Sequence, residues 1–136
     1  MKPPNASALS TYDIAGRAMA AQLVRMNAIA SNLANAGSVA GSEAQAYRAI
    51  KPVFASQYAG STATVNVARM ARTGTPEKRL EPGHPLADAS GHVWVAAVDP
   101  NQEMVEMVET ARAYANNVEV LATTRGLAME TLRLGK

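Results

Sequence analysis

The chain has 136 residues, enough for one ordinary domain, with a net charge of +2, no cysteine, and only one Trp, four Tyr and one Phe among an alanine-rich apolar content of 48%. Without cysteine, thiol catalysis, disulfides and Cys-ligated zinc are excluded. So small and scattered a charge gives no footing for nucleic acid, and no apolar run approaches the length of a membrane span.

Residues 1–9 read as a flexible N-terminus. Lys2 is followed by Pro3, Pro4 and Asn5, and Asp13 and Arg17 interrupt the apolar stretch that follows, so no cleaved leader is expected. Ser10 opens a capping box with Asp13. A heptad then begins: Tyr12, Met19, Met26 and Leu33 recur every seven residues, and Gly16, Leu23 and Ala30 fill the intervening positions. The spacing predicts a helix over 10–35, within a coiled-coil segment 10–36 that Gly37 brings to a stop. Its last turns carry Asn27, Asn32 and Asn35, poor helix-interior residues because the amide competes for backbone hydrogen bonds. Asn32 and Asn35 are expected to bond backbone groups where the chain turns into the loop, fixing register at a seam with neighbours. The competing reading has Asn35 capping the helix and the others facing solvent.

Residues 37–98 form a loop and a small β region. Three strands are predicted: one around "AYRAIKPVFASQY", with Pro52 limiting it to an edge or a bulge; one in "ATVNVARM", with Val65 and Val67 opposed to Asn66; and one in "HVWVAAV". The stretch "RTGTPEKRLEPGHPLADASGH" reads as turns. Residues 99–136 form the second coiled-coil helix, with Asp99 as N-cap, Pro100 at the first helical position and Gln102 closing the box. Its heptad runs through Met104, Met107, Ala111, Tyr114, Val118, Leu121 and Leu132. Glu109–Arg112 and Glu130–Arg133 are expected as i,i+3 pairs. The fold class is α+β, two long heptad helices flanking a small β-rich insert. An insert with so little bulk cannot bury both stripes, which must pair with each other or with other chains.

The strongest case for chemistry is His84, Asp88 and His92, spaced four apart, a donor set that can hold a metal. Pro82, Pro85 and Gly91 argue against the helix that would align them. The alternative is that His84 and Asp88 hydrogen-bond within a tight loop and His92 starts a strand. No nucleophile elbow, phosphate loop or HExxH motif occurs, so neither catalytic nor cofactor-binding residues are assigned and no cofactor or small-molecule substrate is expected. The reading is of a protein that is not an enzyme.

"SNLAN" at 31–35, closing an N-terminal heptad helix, resembles the signature of the bacterial flagellar axial proteins, the rod, hook and hook-associated subunits. "PGHPLADASGHV" at 82–93, "VDPNQEMVEMVE" at 98–109 and "ARAYANNVEVL" at 111–121 narrow the resemblance to the proximal-rod subunits. It covers about residues 8–136. The motif residues are then Ser31, Asn32, Leu33 and Asn35; Pro82, Gly83, His84, Pro85 and Asp88; and Asp99, Pro100, Glu103, Met104, Arg112, Tyr114 and Asn117. The resemblance implies a structural subunit of the flagellar basal body that self-associates and polymerises with other rod subunits into the periplasm-spanning drive shaft. It implies the rod-base adaptor protein, the inner-membrane ring and the flagellar type III export apparatus as partners, and export without a cleaved signal peptide. Another axial subunit, or a coiled-coil adaptor or secretion chaperone, is the alternative. An adaptor's helices pair within the chain, whereas a rod subunit's await neighbours.

Overall fold

The computed structural model describes residues 10–60 and 62–135, so the expectation for residues 1–9 lies outside the described part. In chain order the elements are α1 (Thr11–Asn35), β1 (Val39–Ala40), β2 (Ala49–Ala59), β3 (Thr62–Thr73), β4 (Glu77–Leu80), β5 (His92–Val95) and α2 (Pro100–Leu134).

Local chemistry sets both helix starts. The Ser10 hydroxyl accepts from the Asp13 amide at 3.1 Å while the Asp13 carboxylate accepts from the Ser10 amide at 3.0 Å, the reciprocal box the sequence predicts. At α2 the Asp99 carboxylate accepts from the amides of Asn101 and Gln102. Gln102 does not close that box as expected: its side-chain amide donates forward to Glu106 Oε1 at 3.0 Å, one turn along, where a carboxylate is the stronger acceptor. The expected pairs Glu109–Arg112 and Glu130–Arg133 are not among the ion pairs of the described residues, which leaves these exposed charges to solvent.

Five strands in two sheets replace the three expected. β2 and β3 form a long antiparallel ribbon, leaving Pro52 on a strand with one partner. Phe54 pairs with Val67 and Val53 with Arg69, so Ala68 is the extra residue of a bulge next to Pro52. Val65 and Val67 are half-buried and Asn66 is exposed, as the alternation predicts. The second sheet has the order β1–β5–β4. β4, Glu77–Leu80, lies in the stretch read as turns; all four of its residues are exposed, so it carries no burial pattern, and its pairing is supplied by β5. β1 is only two residues long, too short for any periodicity to register.

The core is made of small side chains: Ala15, Ala21, Ala28, Ile29, Ala46, Ala49, Val93 and Ala96 are the buried apolar residues. Asn32, near the end of α1, hydrogen-bonds Glu103, near the start of α2, and the two helices pack along their length, so they run antiparallel. The β2–β3 ribbon lies against another side of α1. There Arg17 donates to Gln57 at 2.9 Å and the Arg25 guanidinium sits 4.7 Å from the Phe54 ring centre.

Candidate assembly surface

Asn32 is fully buried and joins three elements. Its amide nitrogen donates to the Ile50 carbonyl at 3.0 Å and to Glu103 Oε2 at 2.9 Å. Its carbonyl oxygen accepts from the Ile50 amide at 2.8 Å and from the Tyr47 hydroxyl at 3.0 Å. Both donor hydrogens and both lone pairs of one Asn are used, which no solvent-facing residue of α1 matches. The Tyr47 hydroxyl also lies 3.1 Å from Ser31 Oγ. Ile50 is the second residue of β2, so the amide of Asn32 replaces a neighbouring strand at that point. Next to it, Ala97 donates to Tyr47 O and accepts from Ala49 N, which brings the chain into α2 with Glu103 facing α1. The predicted backbone role of Asn32 holds, and it is made within the chain; Asn35 donates back to Ser31 O at 2.8 Å. The solvent-facing reading fails for Asn32.

Beside this clamp, Lys51 of β2 donates to Glu106 of α2 at 2.6 Å. The Lys51 ammonium holds the Glu106 carboxyl below its ordinary value, helped by the Gln102 amide and opposed by partial burial. Tyr47, Ile50, Lys51 and Glu106 were missed as site residues. Their role depends on contacts between residues up to 55 positions apart in the chain, and no local motif marks it.

The stripes by which the helices meet are not the predicted heptads. On α1 the buried and half-buried series is Ala15, Ala18, Gln22, Arg25, Ile29 and Asn32; on α2 it is Glu103, Glu106, Thr110, Ala113, Asn117 and Thr124. Each series sits one residue before its heptad, a rotation of about 100°. Small and polar residues face across the pair, and close approach favours them. Of the heptad residues, Met19, Met26, Leu33, Met107, Tyr114 and Leu121 are half-buried at the margin of the seam. Tyr12, Leu23, Ala30, Met104, Ala111, Val118 and Leu132 are exposed, Leu23 at 45%, Met104 at 61% and Leu132 at 68%. In an antiparallel pair the same one-residue offset turns both stripes to the same side. The ribbon occupies the opposite side, where Arg17, Arg25 and Glu106 meet β2. The two-helix layer therefore turns the exposed residues of both apolar stripes away from the β2–β3 ribbon.

The His84–Asp88–His92 stretch forms a hydrogen-bonded loop. Asp88 Oδ1 accepts from the amides of Ser90 and His92, and His84 Nδ1 accepts from the Leu86 amide at 3.1 Å. His92 is the first residue of β5. The His92 amide, above all, holds the Asp88 carboxyl below its usual value, with smaller help from Ser90 and Lys78 against desolvation. No group of three or more metal-ligating side chains is gathered among the described residues. Pro82, Gly83 and Pro85 are exposed on this loop. Gly91 lies at φ +76°, where an added Cβ would meet Pro82 at 3.2 Å. On α2, Asp99 caps, Pro100 opens the helix, Arg112 is exposed, and Asn117 is half-buried on the seam.

The site is thus an amino-terminal helix and a longer carboxy-terminal one, packed against each other beside a small β region, with exposed apolar residues on their outer side. Residues 13–41 match the family described as flagella basal body rod protein. Residues 89–134 match the flagellar basal body rod FlgEFG protein C-terminal family. The class is thus that of flagellar rod proteins. The chain is 47% identical over 131 residues to the flagellar basal-body rod protein FlgC of Salmonella typhimurium, covering 94% of this chain and 98% of that one. It is 46% identical over 133 residues to that of Yersinia enterocolitica, covering 96% and 99%, and 28% identical over 149 residues to that of Bacillus subtilis, with the same coverage. The chain belongs to the FlgC family of flagellar basal-body rod proteins, and its role is structural.

Proposed function

We propose that the chain polymerises with other rod proteins, and with further copies of itself, into the proximal rod, the drive shaft that spans the periplasm. In this reading α1 and α2, segments 10–36 and 99–136, are the coiled-coil layer and residues 37–98 the outer β region. The heptad residues Tyr12, Met19, Leu23, Met26, Ala30, Leu33, Met104, Met107, Ala111, Tyr114, Val118, Leu121 and Leu132 are the contacts to neighbouring subunits. The rod-base adaptor, the inner-membrane ring and the type III export apparatus, which would carry the chain without a cleaved signal peptide, complete the partners.

One observation carries the reading. Two heptads that a lone chain would use to pair its own helices instead lie at the margin of the internal seam and outside it, seven of their residues exposed, while alanine, threonine and polar side chains make up most of the seam. Burying that face against neighbours would contribute about 25 cal/mol per Å² of apolar surface. A free-standing adaptor, whose pairing is complete within the chain, would have no use for it.

The test is the double variant Leu23→Glu with Val118→Glu, tested in a strain whose own rod gene is deleted. Both positions are exposed, so the purified monomer should keep its helical circular dichroism and its thermal midpoint within a few degrees. Complete basal bodies and swimming should be lost. Normal numbers of basal bodies would overturn the assignment of this face.

A further inference from the structure

We propose that Gly16 of one copy lies in backbone contact with Gly126 of a second copy, so that the end of α2 from one subunit packs along the start of α1 of the next. The proposal rests on the proposed function and names one contact within it. Of the nine glycines only Gly16 and Gly126 stand inside a helix. A glycine there favours the unfolded chain by roughly fivefold over alanine, because it loses more backbone freedom on folding. Both are exposed, each helix runs on unbroken through its glycine, and a Cβ built on either would meet nothing within 4 Å. Nothing among the described residues calls for glycine at these two positions, whereas the close approach of another backbone does.

The two positions fit one another. Ala20 follows Gly16 by one turn, Ala122 precedes Gly126 by one turn, and both are exposed. Run antiparallel, the helices bring Gly16 level with Gly126 and Ala20 level with Ala122 in a single register. Charge agrees. Asp13, three residues before Gly16, is the one acid of α1, and the two basic residues of that helix are engaged by the ribbon, Arg17 with Gln57 and Arg25 with Phe54. Around Gly126, Arg125 and Arg133 outweigh Glu130 and pair with no carboxylate among the described residues. A negative start of α1 therefore meets a net positive end of α2. One chain cannot make this contact with itself. Asn32 bonds Glu103, so in the internal pairing Gly126 lies past Ser10, about 10 Å along the axis from Gly16. Gly126 also stands two residues beyond Thr124 of the seam, which turns it from α1. α2 has 35 residues against 25 in α1, and its last turns run on past the start of α1. A second copy displaced by about 10 Å along the axis brings the two glycines together. Each copy then offers Gly16 to one neighbour and Gly126 to the other, a heterologous contact that propagates along an assembly.

The chain has no cysteine, so a disulfide can report the contact. Ala20→Cys with Ala122→Cys, expressed in the rod-gene deletion strain, should give disulfide-linked multimers in oxidised basal bodies, since facing Cα atoms about 4–7 Å apart can be bridged. Cells that mix the two single variants should give linked dimers, and either single variant alone should give none. Gly16→Ala should favour folding of the lone chain by roughly fivefold, read as a higher thermal midpoint. The same variant should lower the number of complete basal bodies by roughly tenfold or more, because the added methyl holds the backbones apart. Gly16→Leu should lower it further while the lone chain keeps its helical circular dichroism. Normal numbers of basal bodies from Gly16→Ala, or basal bodies built from the double cysteine variant that yield no linked product, would overturn the proposal. The Leu23→Glu, Val118→Glu variant is read separately: loss of basal bodies there, with normal numbers from Gly16→Ala, keeps the proposed function and strikes this contact.

Discussion

Asn32 shows how one polar side chain can decide a tertiary arrangement. It hydrogen-bonds the Ile50 amide and carbonyl and one Glu103 oxygen at the same time. Asn32→Ala would strand three buried polar groups, and the expected loss of unfolding free energy is about 3 kcal/mol, measured by urea titration. A loss under about 1 kcal/mol would mean that water replaces the amide without penalty. Gly91 makes a second residue-scale prediction. Gly91→Ala meets both a positive φ and the Pro82 ring, and should cost about 1–2 kcal/mol in the same titration. The sequence marked Asn32 as anomalous because of where it stood in a helix. It did not show that the partners were Tyr47, Ile50 and Glu103, since nothing local ties residues 15 to 71 positions away.

At the scale of elements, the two helices were legible from caps and periodicity. The Ser10–Asp13 box and the Asp99–Pro100 start are short-range features that act before any tertiary contact forms. Asp99→Ala should therefore lower stability by about 1 kcal/mol, and thermal unfolding followed by circular dichroism would show it as a drop in midpoint. The ribbon was legible for the same reason: Pro52 and the alternation of Val65, Asn66 and Val67 are local signals. β4 was not, because Glu77, Lys78, Arg79 and Leu80 alternate nothing and become a strand only by pairing with β5. The heptads were read as apolar stripes that pair with each other or with other chains, and the sequence left that choice open. Periodicity gives the rotation of an apolar stripe on its own helix but not which stripe turns toward the partner, and here the seam is taken by alanine, threonine and polar side chains rather than by Met and Leu.

For the whole molecule, the ionic contacts predict how stability follows pH. The Glu106 carboxyl, lowered chiefly by its hydrogen bond from Lys51, binds a proton less readily in the folded chain than in the unfolded one. A carboxylate of that kind contributes its full stabilisation above the unfolded value, near 4.5, and loses it as pH falls through the lowered folded value. Asp13 and Asp88, also lowered, act with the same sign. The thermal midpoint should therefore fall as the solution is acidified below that range. Lys51→Met should flatten part of the slope. A midpoint that rises on acidification would contradict the pairing of Lys51 with Glu106.

The sequence by itself determined two capped helices with heptad stripes, a small β region between them and a family signature in "SNLAN" and in the loop that leads to the second helix. These are local patterns, set by hydrogen bonds and side-chain spacing within a few residues. Only the tertiary structure decided that Asn32 is satisfied within the chain, that the helices meet through their small and polar residues, and that the apolar stripes face the same way. Those outcomes depend on how three elements share limited space around one buried amide. The seam is filled by small side chains and by polar ones gathered around that amide, and the larger apolar residues are left at its margin or outside it.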